Sequence, residues 1–196
     1  MRILAVADIE DDVLLSQLSN RSLGFFDLVV SCGDLGPSYL DYVATVANAP
    51  LAYVRGNHDM GYEDSFAMGG TNLDGRIEAF CGLRFAGLEG SVDYRVGIVG
   101  YSQAEMRRKV VSLGLRGYLT GGIDVLVTHA PARGFGDLPD EPHQGFDAFN
   151  GLLNWVHPHL MLHGHVHLDY AMVDRERMHP SGTRIVNVCG WQVLEL

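Results

Sequence analysis

Basic side chains are scarce in this sequence of 196 residues: 14 lysines and arginines stand against 24 aspartates and glutamates, for a formal net charge of −10. So few cations argue against a protein that tracks a nucleic-acid duplex, because such binding depends on neutralising phosphates. The same deficit argues against docking on an anionic membrane. Long hydrophobic runs are missing as well, and nothing approaches the roughly 20 residues that span a bilayer. The opening Met1-Arg2-Ile3-Leu4-Ala5-Val6-Ala7-Asp8 turns acidic too early for a secretory signal. Cysteine is rare: Cys32, Cys81 and Cys189 are widely spaced and form no zinc-type pair. Each lies in or beside an apolar segment, which points to reduced, packed thiols and a cytoplasmic location. Internal repeats, linkers and low-complexity segments are also missing. The expectation is one domain over residues 1–196 with a sizeable core.

What is present is a repeated pattern. Leu51-Ala52-Tyr53-Val54 reads as a buried strand and leads into Gly56-Asn57-His58-Asp59. Gly56 permits a sharp turn there. By itself the tetrapeptide could be a polar turn with an Asx hydrogen bond. Four other apolar runs end in the same manner: Ile3–Val6 before Asp8, Leu28–Val30 before Gly33-Asp34, Val125–Val127 before Thr128-His129, and Leu160–Leu162 before His163-Gly164-His165-Val166-His167. Loops after strands are commonly rich in Gly, Asn, Asp and Ser, but not in histidine. Asp8, Asp34, Asn57, His58, His129, His165 and His167 thus form a set at strand tips, where open α/β sheets bind ligands. Mixed carboxylate, carbonyl and imidazole donors suit Mn, Fe or Zn.

In chain order, residues 1–7 read as a strand and Asp11 or Asp12 as the cap of a helix carrying Val13, Leu14, Leu15 and Leu18. Residues 27–32 read as the second strand. A helix from Ser38 to about Asn48 turns Leu40, Tyr42, Val43 and Val46 inward and is closed by Pro50. This β-α-β-α-β opening implies a parallel sheet with right-handed crossovers. Residues 61–75 read as a loop. Ile77–Phe80, Leu83–Ala86 and Tyr94–Gly97 read as antiparallel hairpins, and residues 102–115 as a helix. A strand at 123–128 precedes a long loop at 130–146, a length that is often functional. A helix at 147–156 and a strand at 160–163 follow. Ala171-Met172-Val173, Arg184–Val188 and Val193–Leu196 read as closing antiparallel strands.

The blocks Gly33-Asp34, Gly56-Asn57-His58-Asp59, Thr128-His129 and Gly164-His165-Val166-His167, in that order, resemble the calcineurin-like metallophosphoesterases over nearly the whole chain. Thr183–Val188 resembles that family's closing hairpin. Asp137, Asp140, His143, Gly145 and Phe146 resemble a loop of its small stand-alone bacterial members. The resemblance implies a four-layer α/β/β/α sandwich with mixed sheets and two divalent metal ions, Mn foremost and Fe or Zn as alternatives. It implies hydrolysis of a small phosphomonoester or phosphodiester by metal-bridging hydroxide, the ions lying roughly 3.5–4 Å apart. By the same resemblance Asp34 bridges both metals. Asp8 and His167 hold the first, and Asn57, His129 and His165 the second. His58 faces the substrate as general acid, and Asp59 orients it.

One block departs from the family. Its first motif is Asp-x-His, and here it reads Asp8-Ile9-Glu10. Glu10 could ligate as an oxygen donor at the same offset, His143 could reach in from the long loop, water could fill the place, or Glu10 could simply begin an acidic helix cap. His163 reads as structural, and His157, His159 and His179 get no role. Arg55 and Arg133 could meet phosphate or an exposed carboxylate. The alternative function, from another class, is a non-catalytic scaffold or ligand-binding module on this fold with a weakened metal site, as in proteins of the retromer-scaffold kind. Retention of His58 discriminates between the two, since a scaffold has no use for an acid aimed into a pocket.

Overall fold

The apolar runs at 2–7, 28–31, 125–128 and 160–163 lack the polar alternation of a half-exposed strand, so each needs cover on both faces. In the computed structural model, which describes residues 1–60, 69–169 and 174–196, each has it. The first sheet contains β1 (Arg2–Ala7), β2 (Leu28–Ser31), β3 (Leu51–Tyr53), β4 (Thr71–Asn72) and β13 (Gly190–Glu195), in the order β13-β1-β2-β3-β4. Its pairs are parallel except β13, which runs antiparallel to β1. The second contains β5 (Ile77–Phe80), β6 (Leu83–Leu88), β9 (Val125–Thr128), β10 (Leu160–His163), β11 (Glu176–Met178) and β12 (Arg184–Asn187), in the order β11-β12-β10-β9-β6-β5. Its centre is parallel and its two edges antiparallel. A small parallel pair, β7 (Ser91–Val92) and β8 (Gly100–Tyr101), stands apart.

Side-chain alternation sorts these strands into layers. Ile3, Ala5, Ala7, Leu28 and Val30 face Phe85, Val125, Val127, Leu160, Leu162 and Val186 across a core between the sheets. The opposite faces go to helices. Leu4, Val6 and Val29 meet Leu14 and Leu18 of α1 (Asp12–Ser19) and Leu40 and Val43 of α2 (Pro37–Ala47). Ala86, Leu126 and Met161 meet Met106, Val110 and Leu113 of α3 (Gln103–Thr120) and Leu152 and Leu153 of α4 (Asp147–Val156). The result is the α/β/β/α sandwich expected, each buried aliphatic side chain contributing roughly 1.5–3 kcal/mol.

Helix ends follow local chemistry. Asp11 is the residue that caps α1, accepting from the N–H of Val13 and Leu14. Ser102 and Glu105 form a reciprocal capping box on α3. That helix continues to Thr120 instead of stopping near 115. Its last turns expose Leu115, Tyr118 and Leu119, so no apolar periodicity marks its end, and Gly121 stops it with φ of 100°. On α2, Tyr39 is buried and Tyr42 is 47% exposed, reversing the expected inward position of Tyr42. Tyr94–Gly97 is irregular, with bends from Arg95, and not a strand. The thiols are free, with Cys32 and Cys189 buried, but Cys81 is exposed. Cys81 and Gly82, with φ of 49° and 82°, make the tight turn between β5 and β6. The strand expected over Ala171-Met172-Val173 and most of the 61–75 loop lie outside the described residues. No helix among the described residues is long and apolar enough to cross a membrane.

Candidate active site

Five parallel strands deliver the site at their C-terminal tips. β1 ends at Asp8, β2 at Gly33-Asp34, β3 at Gly56-Asn57-His58-Asp59, β9 at His129 and β10 at Gly164-His165. The two sheets are sewn together here. The His165 N–H donates to both carboxylate oxygens of Asp8, at 2.9 and 3.0 Å. His129 Nδ1 donates to the Cys32 carbonyl at 2.7 Å. Asp8, Asp34 and His165 all take left-handed backbone, with φ of 65°, 56° and 68°, a conformation uncommon for residues other than glycine. Where the loops approach most closely, side chains are excluded. A Cβ on Gly33 would sit 2.5 Å from the Gly56 Cα, and one on Gly56 would overlap the Asp34 carboxylate.

A carbonyl can only accept, so His129 carries a proton on Nδ1. Its Nε2 lies 2.8 Å from Asn57 Oδ1 and 3.5 Å from Asp34 Oδ2. With Nε2 unprotonated, three lone pairs converge there, and a cation between them resolves the conflict. His165 completes the group. Its Nε2 donates to the Pro142 carbonyl at 2.7 Å, leaving Nδ1 as its lone-pair nitrogen. Ligand atoms of Asp34, His129 and His165 all lie within 4.8 Å of one another. Burial, reinforced by His129, holds His165 well below the usual imidazole range and so neutral, as a ligand must be. Burial pushes the Asp8 carboxyl up, against the opposing pull of His129. The donor set thus fits a divalent ion such as Mn, Fe or Zn.

The remaining residues fall around this group. His167 is half-buried and close enough to Asp8 for its charge to lower the Asp8 pKa. His58 is exposed; its N–H donates to Asp34 Oδ1 at 2.8 Å. The Asp59 carboxylate is directed at backbone: Oδ2 accepts from Asp34 N at 2.9 Å and Gly56 N at 2.7 Å. It pins two ligand loops to each other and does not bond the His58 ring. That ring instead has Nδ1 3.4 Å from Nη2 of Arg95. Glu10 is exposed, and its Oε1 accepts from Gly36 N at 3.2 Å at the start of α2. His143, on the short 3-10 turn Glu141–His143, lies with its ring centroid 5.3 Å from that of His165 and its Nδ1 2.5 Å from Asp140 Oδ2. His163 is buried and bonded to its own loop at Gly164 O. Arg55 is paired through two nitrogens with the buried Glu89, both at 2.8 Å.

Sequence reasoning missed Arg95 and Tyr94, whose hydroxyl accepts from Asn57 Nδ2 at 3.4 Å. The signal available was weak: Asp93-Tyr94-Arg95 follows a two-residue strand, Ser91-Val92, that is too short and too polar to read as an apolar run.

The family model described as the calcineurin-like phosphoesterase superfamily domain matches residues 1–190. The chain belongs to that superfamily. No curated protein sequence matches it. Solved structures share its fold at low identity. One superposes with a TM-score of 0.72 at 16% identity, covering 98% of this chain and 94% of the other. A hypothetical protein from Thermus thermophilus gives 0.52 at 15% identity, covering 96% and 76%. Wild-type Vps29 from Entamoeba histolytica, complexed with zinc, gives 0.51 at 14% identity, covering 100% and 86%.

Proposed function

We propose that this superfamily member is a dinuclear metal-dependent phosphoesterase, a phosphatase or phosphodiesterase, acting on a small phosphorylated substrate in the cytoplasm. The observation that carries the reading is the convergence of His129 Nε2, Asn57 Oδ1 and Asp34 Oδ2, with the exposed residue His58 tied to Asp34 through its backbone N–H. Asp34, Asn57, His129 and His165 would hold one ion, and Asp8 and His167, sharing Asp34, the other. Mn is the metal of choice for this mixed oxygen and nitrogen set, with Fe or Zn as alternatives; the zinc-complexed Vps29 of like fold is consistent with a divalent ion. When bound, the ions would neutralise phosphoryl charge and make water more acidic.

The chain's own residues do the rest. His58, whose Nδ1 accepts from Arg95, keeps its N–H on Nε2 and donates that proton to the leaving oxygen. Asp59 fixes the backbone that aims it. The test is turnover of 4-nitrophenyl phosphate and bis(4-nitrophenyl) phosphate by Mn-loaded protein, with a chelated control. Chelator-sensitive hydrolysis of either ester supports the reading. Metal uptake without hydrolysis of any ester would favour a binding module.

A further inference from the structure

We infer that Arg95 recognises a second anionic group, carried on the leaving-group portion of the substrate; this rests on the phosphoesterase reading and narrows its substrate class. Anionic substrates need cations, and this chain has few near its strand tips. Arg55 is held by Glu89 through two bonds of 2.8 Å, and Arg133 lies 3.6 Å from Asp137. Arg95 is different. Among the described residues its partners are the His58 ring, 3.4 Å from Nη2 to Nδ1, and the face of Tyr94, 5.4 Å from guanidinium carbon to ring centroid. No carboxylate among those residues pairs with it, in a chain of net charge −10.

Its position is built into the site. The segment carrying it is tied at both ends to the central loop: Gly90 N donates to Arg55 O at 2.9 Å, and Val99 N to Asn57 O at 3.0 Å. Ser91 N donates to Val99 O at 3.1 Å, closing the segment on itself. Tyr94, one residue before Arg95, touches Asn57 through its hydroxyl. The backbone of Arg95 is therefore anchored beside the loop that carries His58, and its guanidinium reaches that ring.

Its exposed guanidinium can offer two parallel N–H donors to a carboxylate or a phosphate. Because it flanks the proton-donating histidine and not the buried ligand cluster, the anion it meets lies beyond the ester oxygen, on the part that departs. The substrate class is thus a phosphate ester whose leaving alcohol bears a carboxylate or a second phosphate, for which short monoesters serve as probes.

The test compares three substrates on Mn-loaded protein: glycerol 3-phosphate, 3-phosphoglycerate, and propane-1,3-diol bisphosphate. The first lacks the second anion, the second offers a carboxylate, and the third a phosphate. Arg95→Ala is expected to raise KM about tenfold for whichever charged substrate the site takes, the scale of one charge-assisted contact. KM for glycerol 3-phosphate should change little, any fall in kcat from losing the bond to the His58 ring should be the same for all three substrates, and Arg95→Lys should recover part of the KM loss. Calorimetric affinities on a His58→Ala background, where turnover is slowed, should show the same selectivity. An equal effect on all three substrates, or none, overturns the inference while leaving phosphoesterase activity in place. No hydrolysis by the otherwise native chain, together with binding that still depends on Arg95 and the second anion, overturns the catalytic reading and retains the recognition site.

Discussion

His129 and Asn57 come from strands in different sheets, yet His129 Nε2 stands 2.8 Å from Asn57 Oδ1 with the opposite ring nitrogen already bound to the Cys32 carbonyl. Two acceptors so placed repel until a cation or proton comes between them. Divalent metal should therefore stabilise the fold, by about 2.7 kcal/mol at a hundredfold excess over Kd. For a chain of this size that is a Tm shift of roughly 5–10 °C. Differential scanning fluorimetry with chelator, then with added Mn, checks this; identical melting in both states would refute it.

His58 is exposed and contributes only its backbone N–H to Asp34. His58→Ala should lower kcat by roughly 10²–10⁴, the range for loss of a general acid, while metal content measured by elemental analysis stays the same. The defect should shrink for nitrophenyl esters, whose leaving group needs no proton. A drop in metal stoichiometry would make His58 a ligand.

Glu10 occupies the position where the family motif has histidine, and its carboxylate is bonded to Gly36 N at the start of α2. Glu10→Gln keeps an oxygen for that bond and removes the charge. It should cost less than about 1 kcal/mol in urea unfolding. If the side chain swings to the metal on loading, the same variant will weaken one site more than the other. Calorimetric Mn titration of the two variants Glu10→Gln and Glu10→His reads this directly, and unchanged isotherms in both would confine Glu10 to capping.

His163 supplies a pH dependence. Burial lowers its pKa from 6.5 to about 4. The unfolded chain therefore binds a proton that the folded chain refuses, and stability falls as pH drops from about 6.5 toward 4. The loss should be about 2 kcal/mol between about pH 7 and pH 5 in metal-free protein. Asp8 and Asp59, both raised by burial, act in the opposite sense as they protonate. The His163 share is thus the difference from His163→Gln, whose unfolding curve should depend less on pH. Parallel curves for the two proteins would remove His163 as the source.

The strand tips were legible because an apolar run that stops at Asp, Asn or His is a local pattern, and parallel strands bring such ends to one edge without knowledge of contacts. The partners of those side chains were not. Asp59 reads as an orienting acid for its neighbour, but its oxygen is claimed by two backbone N–H groups, one of them 25 positions away at Asp34. Arg95 sits in bends with no periodicity, and the long-range tethers from Gly90 to Arg55 and from Val99 to Asn57 bring it to His58. The far half of α3 was lost for a related reason: Leu115, Tyr118 and Leu119 are apolar but exposed, so the face pattern dissolves before the helix ends.

The left-handed backbone of Asp8, Asp34 and His165 has a further consequence. Residues with a Cβ held there cost of order 1 kcal/mol or more each relative to glycine. Asparagine at Asp8 and Asp34 tolerates this backbone and keeps an oxygen for the His165 and His58 N–H groups, so it would shed two carboxylate charges and leave an inert sandwich. Function and durability therefore pull in opposite directions at two separate strand ends. A screen for thermostable variants of this chain, run without selection for turnover, should drift toward asparagine at Asp8 and Asp34 and lose the candidate metal site on the way.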